Sequence, residues 1–180
     1  MFWCTWVTCK NRVLVVWLIG LAGAGKTTIG KKVFRKMKTL RPNTVFLDGD
    51  SVRKILGTDL GHSVEDRRKN AWRICRLCQY LDNQNINVIC SILSIFHDTQ
   101  EWNRENYESY FEVFIDVPME ILIERDQKGL YSGSINKTVE NVVGMDIPFS
   151  PPPNADLILR NYGENNTVEE MAELVFSKIH

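Results

Sequence analysis

Short apolar runs alternate with segments of helical pattern along most of this chain. The apolar runs have the length and β-branched composition that predict strands, and turn residues separate them from the segments between. They cover residues 13–19, 44–47, 86–91, 112–117 and 156–159. Helical patterns occupy residues 28–40, 64–83, 118–125 and 167–179. This alternation predicts a three-layer α/β fold, in which a five-stranded parallel sheet carries helices on both faces.

The longest predicted helix begins at Ser63-Val64-Glu65-Asp66, a pattern that predicts a capping box. Farther along, Cys75 and Cys78 form a C-x-x-C pair on what its apolar spacing predicts to be the inward face. The chain has five cysteines, an odd number, and no second pair that could complete a zinc site. We therefore interpret Cys75 and Cys78 as buried thiols, and expect a reducing, cytoplasmic compartment.

Residues 20–27 read Gly-Leu-Ala-Gly-Ala-Gly-Lys-Thr and match the P-loop pattern G-x-x-x-x-G-K-[ST]. They follow an apolar strand and precede a basic helix, so we expect a P-loop NTPase fold. Backbone N–H groups of the loop and the helix N-terminus would hold phosphates, Lys26 would reach the β- and γ-phosphates, and Thr27 would ligate Mg²⁺. The predicted ligands are ATP and Mg²⁺. The predicted nucleotide-binding residues are Gly20, Gly23, Ala24, Gly25, Lys26, Thr27 and Thr28.

Polar side chains follow the predicted strands at the edge where a parallel sheet binds its ligands. Asp48 and Asp50 come after the second strand, and Ser94 comes after the third. Phosphoryl transfer needs a carboxylate near Mg²⁺, directly or through water, and one that receives the acceptor's proton. Asp48 is the predicted metal ligand beside Thr27, with Asp50 as the alternative, because the sequence does not fix which aspartate holds Mg²⁺. Because alternate residues of an extended segment point to opposite sides, we expect only one aspartate to serve directly, and capping of a following helix is the alternative for either.

Basic residues near the same edge predict a second, anionic substrate. Arg53 and Arg67 lie near predicted helix starts, where guanidinium groups would bind an anion with two parallel hydrogen bonds. Lys128 lies in the segment 126–147, which has three glycines and no strong hydrophobic period. This segment is a candidate lid that would close over phosphates and exclude water. A loose insertion without such a role is the alternative.

Composition and the N-terminus limit the partners. Lys and Arg number 22, and Asp and Glu also number 22, so the net charge of zero predicts no nucleic-acid partner.

Residues 1–12 fit no element; an extra edge strand, a membrane-touching tail and a start codon assigned too early remain open. The apolar run after them resembles a secretory signal, but cleavage would destroy the P-loop, and the run is too short to span a bilayer. We predict one kinase domain over 13–180 and no membrane partner.

Several motifs in one order resemble the adenylylsulfate kinase family over residues 14–160. The family run Leu-Asp-Gly-Asp-Asn-Val-Arg is matched at residues 47–53, and its Asp-Leu-Gly-Phe-Ser at residues 59–63. Its Ser-Phe-Ile-Ser-Pro is similar to residues 91–95, and its Arg-Asp-Pro-Lys-Gly-Leu-Tyr is similar to residues 125–131.

The resemblance implies a homodimeric, ATP-dependent kinase that phosphorylates the 3′-hydroxyl of adenosine 5′-phosphosulfate in sulfate activation. The residues it implies for catalysis are Lys26, Asp48, Asp50 and Ser94. Ser94 matches a serine of the family that is sometimes described as a phosphorylated intermediate of the enzyme. Direct in-line transfer, however, needs only positioning and charge stabilisation. The implied acceptor-binding residues are Asp50, Arg53, His62, Arg67, Asn70, Leu93, Ser94, Lys128, Val142 and Val143.

Two departures from the family pattern fall in the acceptor pocket. The family clamps adenine between two phenylalanines, whose positions here are His62 and Val142. An imidazole can stack on a base, but a valine cannot. A relative with a changed acceptor is therefore the alternative, such as the cytidine diphosphoramidate kinase of capsule synthesis. A non-catalytic nucleotide-binding module is the alternative of another class. A GTPase is disfavoured because residues 136–139 lack the aspartate of Asn-Lys-x-Asp.

Overall fold

The central strand of the sheet is a fully buried run, Val15–Ile19 (β1). The computed structural model describes residues 12–57, 59–126, 128–163 and 167–180. Four more strands run parallel to β1, in the spatial order β2-β3-β1-β4-β5. They are β2 (Thr44–Asp48), β3 (Asn87–Ile92), β4 (Tyr110–Asp116) and β5 (Leu157–Arg160). The predicted five-stranded parallel sheet is confirmed, with strand bounds within two residues of those expected.

Helices cover both faces of the sheet, so β1 is apolar on both sides, as parallel sheets require. Val16 and Leu18 join one core cluster, and Val15, Trp17 and Ile19 join the other. The first cluster includes residues of α1 (Lys26–Leu40) and α7 (Val168–Ile179), and the second includes residues of α3 (Val64–Asp82). The helices are α1 (Lys26–Leu40), α2 (Gly49–Leu56), α3 (Val64–Asp82), α4 (His97–Asn106), α5 (Met119–Arg125), α6 (Leu130–Ile135) and α7 (Val168–Ile179).

Two of these helices, α4 and α6, were not among the predicted elements, and α2 was expected only as a helix after the two aspartates, without bounds. Each is 10 residues or shorter, so none has room for a clear hydrophobic period. In α4 the buried side chains are polar, namely Thr99, Gln100 and Asn103, which hides its inward face from a hydrophobicity pattern. In α6 the start is fixed from outside the helix, because the Asp126 carboxylate accepts the Tyr131 N–H at 2.9 Å.

The predicted capping box at the start of α3 is only half present. The Ser63 hydroxyl accepts the Asp66 N–H at 3.2 Å, as an N-cap should. The Asp66 carboxylate accepts from the Gly61 N–H and from the Ser63 hydroxyl, and the Ser63 N–H does not reach it. Along the same helix Cys75 and Cys78 are buried free thiols, which confirms their place on its inward face.

The segment 126–147 packs into the molecule. Tyr131, Val142, Val143 and Ile147 are all buried in the larger core cluster, and Val143 pairs with Ile147 in an isolated bridge. A loose insertion would not bury these side chains, whereas its role as a lid stays a prediction. Residues 1–11 lie outside the described residues. In the described part of the chain, no helix is both long enough and apolar enough to cross a membrane.

Candidate active site

The loop between β1 and α1 turns through two glycines in the left-handed region. Gly23 has φ +76° and Gly25 has φ +96°, which residues with a Cβ rarely adopt. Gly25 is the N-cap residue of α1, and the first turn of that helix carries no acidic side chain. Since the first N–H groups of a helix have no acceptor within it, Lys26, Thr27 and Thr28 present free donors at a positive dipole end. The loop therefore has the form of a phosphate site.

Lys26 lies beside this loop, with its ammonium group donating to the Leu21 carbonyl at 2.8 Å. Burial lowers its pKa to about 8, an effect that the carboxylates of Asp50 and Asp48 oppose only in part. The ammonium group is therefore mostly protonated at neutral pH, but the two carboxylates neutralise its positive charge only in part. A polyphosphate would supply the missing negative charge.

Asp48 faces the loop from the end of β2 and uses its two carboxylate oxygens for different purposes. One oxygen accepts the Ser51 N–H at 3.2 Å and so caps α2. The other accepts the Thr27 hydroxyl at 2.6 Å. Capping and a place in the site are therefore compatible for Asp48, and the two sequence interpretations do not exclude each other.

The expectation that Asp48 and Asp50 point to opposite sides is wrong, because β2 ends at Asp48 and Asp50 belongs to the first turn of α2. Helical geometry turns Asp50 toward the same edge, where its carboxylate forms an ion pair with Lys128. Partial burial would raise the pKa of Asp50, but Lys128, Lys26 and Arg53 outweigh it and lower that pKa. Asp50 is consequently an ionised carboxylate among cations.

The predicted acceptor side contains a cluster formed by Arg53, His62 and Arg67. The Arg53 guanidinium donates to the Gly61 carbonyl. The Arg67 guanidinium donates to the carbonyls of His62 at 2.9 Å and Asn141 at 2.7 Å, and so joins α3 to segment 126–147. Partial burial, followed by the charges of Arg53 and Arg67, lowers the pKa of His62. His62 is therefore neutral at physiological pH, and its ring is exposed.

Two other predicted acceptor residues are buried polar side chains. Ser94 is 2% exposed, and its hydroxyl accepts from the Gln100 amide at 3.4 Å. Asn70 is 6% exposed, and its side-chain oxygen has no hydrogen-bond partner among the described residues. Gln100 also has an unpartnered amide oxygen in the described part of the structure. The sequence missed Gln100 because it lies on α4, the helix without an apolar stripe.

The remaining predicted acceptor residues, Leu93, Val142 and Val143, have apolar side chains that pack in or against the core. Val142 is 4% exposed and Val143 is 2% exposed, and both side chains lie in the core cluster. Leu93 is partly buried and packs against the same cluster. The side chain of Val142 is thus neither aromatic nor free to cover one face of a base.

Three residues that sequence reasoning did not assign to the site contact the phosphate loop. Tyr131, Arg125 and Asn161 donate side-chain hydrogen bonds to the carbonyls of Ala22, Gly23 and Ala24. Arg125 and Tyr131 bracket the family motif at 125–131, so a signal was present. Asn161 follows β5 in sequence and belongs to no motif that would have indicated a place in the site.

A comparison with protein-family models matches residues 12–160 to the family described as adenylylsulphate kinase. The chain belongs to the adenylylsulphate kinase family. It is therefore a phosphotransferase with the P-loop kinase fold.

Two curated relatives and one solved structure show its neighbours within that family. It is 41% identical to the cytidine diphosphoramidate kinase of Campylobacter jejuni, over 94% of this chain and 98% of that protein. It is 38% identical to the adenylyl-sulfate kinase of Halothermothrix orenii, over 92% of this chain and 89% of that protein. The APS kinase of Mycobacterium tuberculosis, solved in complex with AMPPNP and APS, superposes with a TM-score of 0.83. It is 30% identical, with coverage of 92% of this chain and 96% of that one.

The pair formed by Thr27 and Asp48 fits a magnesium ion. Mg²⁺ prefers hard oxygen ligands and keeps several waters, so it needs only one or two protein groups in addition to substrate phosphates. A hydroxyl and a carboxylate oxygen 2.6 Å apart, at the end of a phosphate loop, supply such a donor set.

Proposed function

We propose that this member of the adenylylsulphate kinase family transfers the γ-phosphate of ATP to a ribose hydroxyl of a nucleotide, and that the nucleotide is cytidine diphosphoramidate. The assignment of the acceptor rests on the 41% identity to the cytidine diphosphoramidate kinase, which spans 98% of that protein. The altered base clamp supports it, since Val142 is buried in the core and only His62 remains able to stack.

Adenylyl sulfate, the acceptor that the family resemblance implies, is the second candidate. The solved APS kinase relative, with its bound APS, favours it. The exposed imidazole of His62 could stack on a purine as well as on a pyrimidine. The two candidates share the ATP side of the site and differ in the base and in the terminal group.

In this mechanism the phosphate loop and Lys26 hold the phosphates of ATP, and Thr27 and Asp48 would hold Mg²⁺. The metal, when bound, neutralises charge on the transferred phosphate. The acceptor hydroxyl oxygen forms a bond to the γ-phosphorus while the bond to the β-phosphate oxygen breaks, giving ADP and a phosphorylated nucleotide. The hydroxyl proton leaves to Asp50 or to solvent.

Asp50 is suited to orient the acceptor hydroxyl. Its carboxylate is ionised and accepts hydrogen bonds, and it lies among Lys26, Arg53 and Lys128. A carboxylate of low pKa is a weak base, but a loose phosphoryl-transfer transition state requires orientation more than proton removal. Lys128 must then share Asp50 with the substrate or turn to the acceptor's phosphate. Ser94 is almost fully buried, which favours direct transfer over a phosphorylated serine.

Replacing each aspartate by asparagine separates these roles. Asp48→Asn should raise the Mg²⁺ concentration needed for half-maximal turnover, because a neutral amide oxygen is a weaker magnesium ligand. Asp50→Asn should lower kcat about 100-fold with little change in the Mg²⁺ requirement or in ATP affinity. Steady-state rates over a Mg²⁺ series measure both effects, with Asp98→Asn on the surface of α4 as the matched control. Wild-type turnover in both site variants would contradict the assignment.

A further inference from the structure

Carbonyl groups of the phosphate loop are held from outside by side chains that come from two distant parts of the chain. The Tyr131 hydroxyl donates to the Ala22 carbonyl at 2.8 Å, and the Asn161 amide donates to the Ala24 carbonyl at 2.8 Å. Between them, Arg125 donates to the Gly23 carbonyl at 3.4 Å. Three successive carbonyls of the loop are thus paired with donors outside it.

The three side chains are themselves fixed. Arg125 also donates to the Asn161 carbonyl at 2.8 Å, so the two residues are tied together. The Asn161 N–H donates to the Asp116 carbonyl at the end of β4, at 3.0 Å. Tyr131 is 2% exposed, and burial raises the pKa of its phenol to about 12, so the hydroxyl keeps its proton. Rigid donors of this kind can set the orientation of the peptide groups that they contact.

Orientation of a carbonyl determines the direction of the next N–H group, because the two point to opposite sides of a planar trans peptide. Holding the Ala22 carbonyl therefore turns the Gly23 N–H away from Tyr131. Holding the Ala24 carbonyl turns the Gly25 N–H away from Asn161. Within the described residues neither of these N–H groups has a protein acceptor, so both remain available at the phosphate face.

We propose that Tyr131 and Asn161, with Arg125 linking Asn161 to the Gly23 carbonyl, form a brace that positions the Gly23 and Gly25 N–H groups of the phosphate loop for ATP. None of the three needs to touch the nucleotide, so they are positioning residues. Of the three, Tyr131 belongs to segment 126–147, which also contains the acceptor-side cation Lys128. The brace deepens the proposed function, on whose ATP site it rests.

The test measures phosphate affinity directly, without an acceptor. Tyr131→Phe removes one hydroxyl and keeps the ring, and Asn161→Asp replaces the donor by an acceptor of the same shape. Tyr80→Phe, an exposed tyrosine on α3, is the control. Titration calorimetry with tripolyphosphate and with ADP should show affinity losses of about three- to tenfold for Tyr131→Phe, the size expected for one hydrogen bond. Asn161→Asp should lose more phosphate affinity, since it places a carboxylate oxygen against the Ala24 carbonyl, and both groups are acceptors.

The same variants should show a raised KM for Mg·ATP, with kcat and the acceptor KM changed less than twofold. A merely structural role predicts a different result, in which the unliganded protein loses thermal stability while the affinity for tripolyphosphate is kept. Unchanged tripolyphosphate and ADP affinities in both variants would overturn the brace. An inactive wild-type enzyme that still binds ADP would refute the proposed reaction and leave the brace intact, so the two failures are distinguishable.

Discussion

Removing the charge of Lys26 should stabilise the fold while it destroys function. Burial lowers the pKa of this ammonium group from 10.5 to about 8, despite the nearby carboxylates of Asp50 and Asp48. Keeping the group protonated at pH 7 therefore costs the folded state about 3 kcal/mol. We predict that Lys26→Met raises the free energy of unfolding at pH 7 by up to about 3 kcal/mol and abolishes turnover, because its side chain cannot pair with phosphates.

The pH dependence isolates this charge from other effects of the substitution. Between pH 8 and pH 10.5 the folded wild-type protein releases the Lys26 proton, while the unfolded chain retains it. The unfolded state then binds more protons, so wild-type stability rises with pH relative to the variant. The advantage of Lys26→Met should be constant below the folded pKa and shrink steadily between those two values.

Urea unfolding followed by tryptophan fluorescence at several pH values between 7 and 10 gives the required free energies. Lys31→Met, at an exposed position of the same helix, is the control and should show no pH-dependent difference. Adding Mg·AMPPNP should reverse the ranking, since only the wild-type protein gains the full binding energy. A stability difference between Lys26→Met and wild type that is zero at pH 7, or the same at all pH values, would contradict a destabilising buried charge at Lys26.

Three further predictions test the packing, the thiols and the base clamp. Gly20→Ala should lower stability by about 1–3 kcal/mol, because the new Cβ would lie 2.8 Å from the Ile115 carbonyl oxygen. Gly61→Ala should cost less, since its Cβ would lie 3.0 Å from a side-chain oxygen of Asp66 rather than against backbone, and equal thermal midpoints would contradict this. Burial raises the pKa of Cys75 to about 12, so iodoacetamide at pH 8 should label it only after unfolding; peptide mass mapping would detect native labelling. His62→Phe should shift the kcat/KM ratio toward adenylyl sulfate about three- to tenfold, and an unchanged ratio counts against stacking at this position.

Features set by neighbouring residues could be predicted from the sequence. The phosphate loop, the strands before and after it and the buried thiols of α3 follow from local pattern, and the structure places all of them as expected. The N-cap at Ser63 is equally local. A hydrophobic period of strand or helix length is sufficient evidence for such elements, because burial against the sheet decides their conformation.

Features that depend on distant residues, or on helices without an apolar stripe, could not be predicted from the sequence. The start of α2 at Gly49 changes the direction of Asp50, and eight residues give no usable period. Gln100 reaches Ser94 from α4, whose inward face is polar. Asn161 contacts a carbonyl 137 residues away, and a single sequence contains no information on that contact.

The most direct test of the proposed reaction is ADP release from Mg·ATP with cytidine diphosphoramidate and adenylyl sulfate offered separately. We predict strong stimulation by a nucleotide acceptor, with kcat/KM at least about tenfold higher for the cytidine compound, a difference of about 1.4 kcal/mol in transition-state binding. Preference for adenylyl sulfate would reverse the acceptor assignment and make His62 sufficient for a purine. ADP binding without stimulation by either compound would contradict the kinase itself and favour a non-catalytic nucleotide-binding module.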